Sequence, residues 1–258
     1  MPKFSANLGF LWPDRPLLDR IDAAARAGFR AVELHWPYDV PAESVGDRCA
    51  DHGLELLGIN TPLGRVENGE FGLGALPGRE ADFESVFRQS LEWGEIAGAT
   101  AIHVMAGVVA PDRKQDGRRT LVENLRKAAV MAPGMTLLLE GINQRDKPGY
   151  FYSTIGEKAD IINDVGAPNI KIMFDIYHVG VSEGDIFRKL ETYLPLIGHV
   201  QIAAVPSRAE PDEGEIHYAH VFNELDRLGY DGWIGCEYKP RSGTDEGLVW
   251  TKTLNVTL

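Results

Sequence analysis

TLLLE at 136–140, KIMFD at 171–175, HVQIAA at 199–204 and WIGCE at 233–237 decide how this chain folds. Each is a short apolar run carrying one acidic or amide residue: Glu140, Asp175, Gln201 and Glu237. These four fall 35, 26 and 36 positions apart, about what a strand, a helix and two loops consume in a parallel α/β fold. Such runs read as strands buried on both faces, where a carboxylate is costly unless it is paired or holds a metal. Three carboxylates converging without a cation repel one another, so the pattern points to metal-dependent chemistry at the carboxyl ends of the strands.

Working outward, strand-like runs recur at 4–8, 31–35, 54–60 and 101–105, which brings the total to eight. Stretches of helical periodicity lie between them, at 17–27, 43–52, 80–97, 118–131, 154–165, 185–193, 217–228 and 246–253. Gly28, Gly53, Gly98, Gly166 and Gly229 stand where left-handed helix stops are expected. The reading is an α/β fold, a (β/α)8 TIM barrel, with residues 1–258 as a single domain. No GxGxxG follows a strand and no GxxxxGK[ST] is present, so a nucleotide-binding doubly wound sheet is the weaker alternative.

A net charge of -12 disfavours nucleic acid and anionic membranes as partners. The N-terminus lacks a signal-peptide pattern, and no run approaches the roughly 20 apolar residues of a spanning helix, so a cytoplasmic location is expected. Cys49 and Cys236 fit neither a disulfide framework nor a zinc knuckle and are read as reduced packing residues.

The donors Glu140, Asp175, Gln201 and Glu237 are all oxygens, which suits Mg²⁺ or Mn²⁺ better than zinc. For any one carboxylate a helix cap or salt bridge competes; four at matched positions outweigh it. His178, three residues after Asp175, and His103, inside strand four, are candidates to orient a substrate oxygen, against an ordinary buried histidine. Arg208 and Lys239 flank strands seven and eight and are the nearest groups to hold a substrate carboxylate, although a solvated surface lysine competes for Lys239. Phe10, Trp12, His35 and Trp36 are expected to wall the pocket, with core packing as the rival account. Asn60 is a further substrate-binding candidate. It opens the glycine- and proline-rich segment 60–77, expected as an active-site lid, and the segment 205–214 is its counterpart after strand seven.

FSANLGFLW, AGFRAVELHWPYD, AIHVMAG, LLLEGINQRDKPGYF, IKIMFDIYHV, HVQIAAVPSRAEPDEGEIHY and WIGCEYKPRSGTDEGLVW together resemble the hydroxypyruvate isomerase family of xylose-isomerase-like TIM barrels, over essentially the whole chain. The resemblance implies a divalent-metal site at Glu140, Asp175, Gln201 and Glu237, with Glu140 and Glu237 as the acid/base pair. One departure is visible: Gly141 stands where the family commonly has proline.

The implied reaction moves a carbonyl between adjacent carbons, interconverting hydroxypyruvate and tartronate semialdehyde through an enediolate. The implied substrate is a small anionic hydroxy-keto acid, and a homo-oligomer is compatible with the sequence. A 2-oxo-tetronate isomerase, one carbon longer in substrate, is the near rival. A ketose 3-epimerase is disfavoured because the related epimerases usually have histidine where Gln201 stands, and a zinc endonuclease by seven histidines in all and the acidic charge. A metal-holding ligand sensor is the non-enzyme alternative, weakened because both glutamates of the pair are present.

Overall fold

The structure, a computed structural model, describes residues 2–258. Eight strands pair in chain order, all parallel: β1 (Lys3–Asn7), β2 (Ala31–Glu33), β3 (Glu55–Asn60), β4 (Ala101–His103), β5 (Thr136–Glu140), β6 (Ile170–Asp175), β7 (Ile197–Ile202) and β8 (Trp233–Cys236). The last closes on the first, in a register running from Lys3 opposite Trp233 to Ala6 opposite Cys236. This is the expected TIM barrel.

Helices α1 (Leu17–Ala27), α2 (Ala42–His52), α3 (Glu80–Ala97), α4 (Lys114–Met131), α5 (Ile155–Val165), α6 (Ile176–Ser182), α7 (Ile186–Tyr193), α8 (Tyr218–Leu228), α9 (Thr244–Gly247) and α10 (Trp250–Thr253) follow the strands. The five glycines expected as stops all adopt positive φ. Thr154 and Glu157 form a reciprocal capping box at the start of α5.

Several boundaries differ from the sequence reading, and one helix was not expected. β7 runs over 197–202 rather than 199–204, and α6 begins directly at the end of β6. IYHVGVS has the β-branched composition of a strand, but the Asp175 side chain accepts from the Tyr177 and His178 backbone N–H groups and turns the chain into a helix. The helix expected over 246–253 is broken into α9 and α10.

The barrel interior has two characters. Ala101, Leu138 and Met173 form a small apolar cluster of their own inside it. Ser5, Glu33, His199 and Gln201 make the polar part, all four buried. The large apolar core lies between the strands and the helices, with Trp250 of α10 fully buried edge-on to Phe4 at 5.4 Å.

The segment expected as a lid is only partly free. Residues 64–69 are exposed, but Gly74 and Ala75 donate to the Met105 and Ala106 carbonyls, and Leu73 and Ala75 are buried. Gly72 makes that docking possible: its φ is 109°, and a Cβ there would lie 2.5 Å from the Met105 carbonyl oxygen. The loop after β7 is pinned through Glu210, which is fully buried and accepts from the backbone and Nε of Arg241.

Candidate active site

The carboxyl ends of β5 and β8 bring Glu140 and Glu237 to one cavity of about 450 Å³, whose wall includes Phe10, His35, Trp36, Asn60, Phe71, His178 and Arg208, and Asp175 at the end of β6 lies buried beside Glu140 and His178. Asp175 spends one oxygen on the start of α6, where Oδ1 accepts from Tyr177 N at 2.8 Å and His178 N at 3.4 Å. Its Oδ2 is buried without a hydrogen-bond partner, as are Glu140 Oε1 and Gln201 Oε1. Gln201 stands beside Asp175 in register, one strand round the barrel. Glu140 Oε2 lies 3.6 Å from His103 Nδ1, and Glu140 Oε1 lies 3.4 Å from His178 Nε2.

Glu237 is satisfied where the other two are not. Its Oε1 accepts from Asn7 Nδ2 and sits 3.1 Å from His35 Nε2, and its Oε2 accepts from Arg208 Nη2 at 2.8 Å. Gly9 makes room for this: a Cβ there would fall 2.1 Å from His35 Nδ1. Arg208, in a left-handed backbone conformation (φ 57°), is held between the faces of Phe10 and Tyr177, with its guanidinium carbon 4.9 and 5.0 Å from the ring centres. It also lies 3.6 Å from Asp146 Oδ2, a carboxylate steadied by the Tyr177 hydroxyl. Its Nε is buried and unpartnered.

The surroundings divide the carboxyls. Burial, then the charges of Glu237 and Asp175, push Glu140 well above the usual carboxylate range. Burial and Glu237 push Asp175 up to about 7. Burial acts on Glu237 in the same sense, but the His35 hydrogen bond and the Arg208 charge outweigh it and hold that carboxyl below its ordinary value. Burial lowers both His103 and His178 to about 3, so each imidazole is neutral.

The donor set fits a hard divalent cation. Three unpartnered buried oxygens, on Glu140, Asp175 and Gln201, are left by the protein, and the carboxylates here exceed the one guanidinium that faces them. His178 also comes within 4.8 Å of ligand atoms on Glu140 and Asp175. Its Nδ1, however, accepts from the Asn143 backbone N–H at 3.2 Å, so Nε2 carries the ring proton and faces the carboxylates as a donor. That makes His178 a hydrogen-bonding group rather than a ligand.

Two expectations change. Trp12 does not wall the pocket: it is 1% exposed, packs edge-on to Phe29, and its backbone N–H and Nε1 donate to Thr244 and Asp245. A large ring just after β1 is drawn into the core because α9 offers it partners. Lys239 is exposed, with Nζ 5.9 Å above the Phe10 ring at the rim, while Arg208 occupies the interior. The sequence reading missed Asn7, Glu33, Asn143, Asp146 and Lys158. Glu33 had a usable signal, since it follows Ala31 and Val32 just as Glu140 follows its leucines. Lys158 had none: it is a buried helix lysine whose Nζ would lie 3.1 Å from a Cβ at position 141, so the ammonium fills space that Gly141 leaves. Burial lowers it to about 8.

A family model described as "Xylose isomerase-like TIM barrel" matches residues 21–254. The chain belongs to that family. It is 47% identical over 255 residues to the 2-oxo-tetronate isomerase of Cupriavidus necator, covering 98% of each chain. It is 38% identical to the hydroxypyruvate isomerase of Escherichia coli K12, covering 97% of this chain and 98% of that one. These relatives are isomerases, and the chain is an enzyme of their class. Among solved structures, one described as an AP endonuclease of family 2 from Brucella melitensis superposes with a TM-score of 0.95 at 38% identity, covering 98% of both chains. A D-psicose 3-epimerase from Clostridium cellulolyticum superposes at 0.79 with 19% identity, which speaks to the fold alone.

Proposed function

We propose that this barrel is a divalent-metal-dependent isomerase that moves a carbonyl between adjacent carbons of a small hydroxy-keto acid. The observation that carries the reading is the pair Glu140 and Glu237, both buried, at the end of β5 and just beyond β8, on the wall of one cavity. Two carboxylates facing one cavity suit the removal of a C–H proton by one and its return by the other. The roles exchange when the reaction runs in reverse.

Glu140, Asp175, Gln201 and Glu237 are the residues that would hold Mg²⁺ or Mn²⁺. When bound, that ion supplies Lewis-acid stabilisation of negative charge on the substrate oxygens. The protein's own groups do the rest. His178 donates its Nε2 proton toward the carboxylate cluster or a substrate oxygen in its place, and neutral His103 does not add charge beneath it. Arg208 offers the unpartnered Nε–H to a substrate carboxylate while Nη2 keeps Glu237 in place. Phe10, Trp36 and Phe71 exclude water from the cavity mouth.

The reaction on the three-carbon acid interconverts hydroxypyruvate and tartronate semialdehyde. The four-carbon 2-oxo-tetronate reading is the second, and the 47% identity to a protein of that name favours it. DNA chemistry is disfavoured by the net charge of -12, and a ligand sensor by the presence of both glutamates. The deciding measurement compares kcat/KM for hydroxypyruvate, a 2-oxo-tetronate and a free ketose on one preparation loaded with Mn²⁺ or Mg²⁺. The acids should be preferred, and chelation should abolish turnover. Preference for the ketose, or full activity in protein shown to be metal-free, would reject the reading.

A further inference from the structure

Below the carboxylate cluster, four buried side chains from β1, β2 and β7 meet inside the barrel. Glu33 Oε2 accepts from Gln201 Nε2 at 2.9 Å, and Glu33 Oε1 accepts from the Ser5 hydroxyl at 2.5 Å. His199 Nε2 lies 3.1 Å from the same Oε1, off the hydrogen-bond direction. β8 is shaped to admit this group. A Cβ on Gly235 would lie 2.3 Å from Glu33 Oε1 and 2.9 Å from Gln201 Cγ, so any larger residue displaces one of the two.

The contact has a direction. A carboxylate accepts and an amide NH₂ donates, so the Glu33–Gln201 bond is made in only one of the two amide orientations. Turning the amide over would set its oxygen against a carboxylate oxygen at the same distance, in a buried place where repulsion is poorly screened. With the NH₂ held by Glu33, Gln201 Oε1 is left without a partner. Gln201 lines a cavity of about 180 Å³ that it shares with Asn7, His103 and Glu237.

We propose that Glu33, braced by Ser5 and His199, is a positioning residue that fixes the Gln201 amide so that position 201 presents an oxygen, and never an NH₂, to the metal. This rests on the reading of Gln201 as a ligand given above. It also gives the amide a role in metal binding, because a carbonyl-type oxygen held in place is a donor suited to Mg²⁺ and Mn²⁺, whereas an amide released from Glu33 loses the placement that keeps that oxygen in the site.

Mn²⁺ titration of the purified full-length protein, followed by calorimetry and by the Mn²⁺ electron paramagnetic resonance signal, tests the proposal without reference to turnover. Glu33→Leu should raise the Mn²⁺ Kd about 10- to 100-fold, the range for loss of a group that orients a ligand. Glu33→Gln retains an acceptor for the amide and should restore most of the affinity. Gly235→Ala displaces the carboxylate without deleting it and should weaken Mn²⁺ similarly, which covers the case of an unfolded leucine variant. Gln201→Ala should weaken binding as much as Glu33→Leu, and the double variant should lose no more than either single one. If Gln201→Ala weakens binding while folded Glu33→Leu and Gly235→Ala leave it unchanged, the positioning role is wrong and the ligand reading stands. If Gln201→Ala leaves the Kd unchanged, Gln201 is not a ligand and both fail.

Discussion

Glu140 and Glu237 are the same residue type in opposite settings. One has an unpartnered oxygen and like-charged neighbours; the other is held by Asn7, His35 and Arg208. Replacing either with glutamine keeps an oxygen but removes a proton acceptor, and each should lower kcat by at least ~10² with substrate still bound, read by steady-state kinetics and a binding isotherm. Near-wild-type turnover would remove that residue from the mechanism. Arg208 pairs with Glu237 and has an unpartnered Nε–H, which the proposed function gives to the substrate carboxylate. Arg208→Ala should weaken kcat/KM on an acidic substrate by ~30- to 1,000-fold, about 2–4 kcal/mol, and by less on an uncharged ketose of similar size. Equal losses on both would assign Arg208 to Glu237 alone. The charged residues at strand ends were legible because an apolar run makes a carboxylate conspicuous; their partners were not, since Asn7 and Glu237 lie 230 positions apart and only barrel closure makes them neighbours.

At the scale of elements, helix caps and tight glycines separate stability from function. The capping box at Thr154 belongs to the outer ring, so Thr154→Ala should lower unfolding free energy by about 1 kcal/mol in a urea titration and leave kcat unchanged. Gly9 follows β1 and touches the site through His35. Gly9→Ala should push the imidazole off Glu237 and lower kcat about tenfold or more while the urea midpoint moves little, as expected when the support of a reacting group shifts. An unchanged kcat would mean that His35 does not steady Glu237. The lid expected over 60–77 shows why loops are harder to read: glycine content signals conformational freedom, yet Gly72 uses that freedom to dock against Met105.

For the whole molecule, the concentration of buried carboxyls sets how stability responds to pH. Asp175 is raised from 3.8 to about 7, and Glu140 is raised as well. Between those values the folded metal-free protein keeps a proton that the unfolded chain has released, so stability falls as pH rises through that window. Glu237 shifts the other way, and its contribution is lost only in stronger acid. His103 and His178, lowered from 6.5 to about 3, act in the opposite sense below the ordinary histidine value, so the carboxyl effect is read above it. The metal-free Tm should therefore be lower near pH 8.5 than near pH 7, and Mn²⁺ should raise Tm more at the higher pH, where fewer protons compete for the carboxylates. Asp175→Asn should flatten the dependence. Scanning calorimetry at several pH values reads all three, and a metal-free Tm that climbs from near pH 7 to near pH 8.5 would contradict the assignment.

The alternation of buried strands and glycine-stopped helices determined the barrel from sequence, because a strand covered on both faces must be apolar throughout and a helix must end where φ turns positive. The same apolar background exposed Glu140, Asp175, Gln201 and Glu237 as residues whose burial needs a reason. Tertiary structure alone decided what each of them faces. Ser5, Glu33, His199 and Gln201 meet because closure brings β2 and β7 across the interior, Arg208 turns inward on a left-handed backbone, and Trp12 turns away into the core. Local composition carries burial and period, but a hydrogen-bond partner is a fact about distance in space, which only the closed barrel sets.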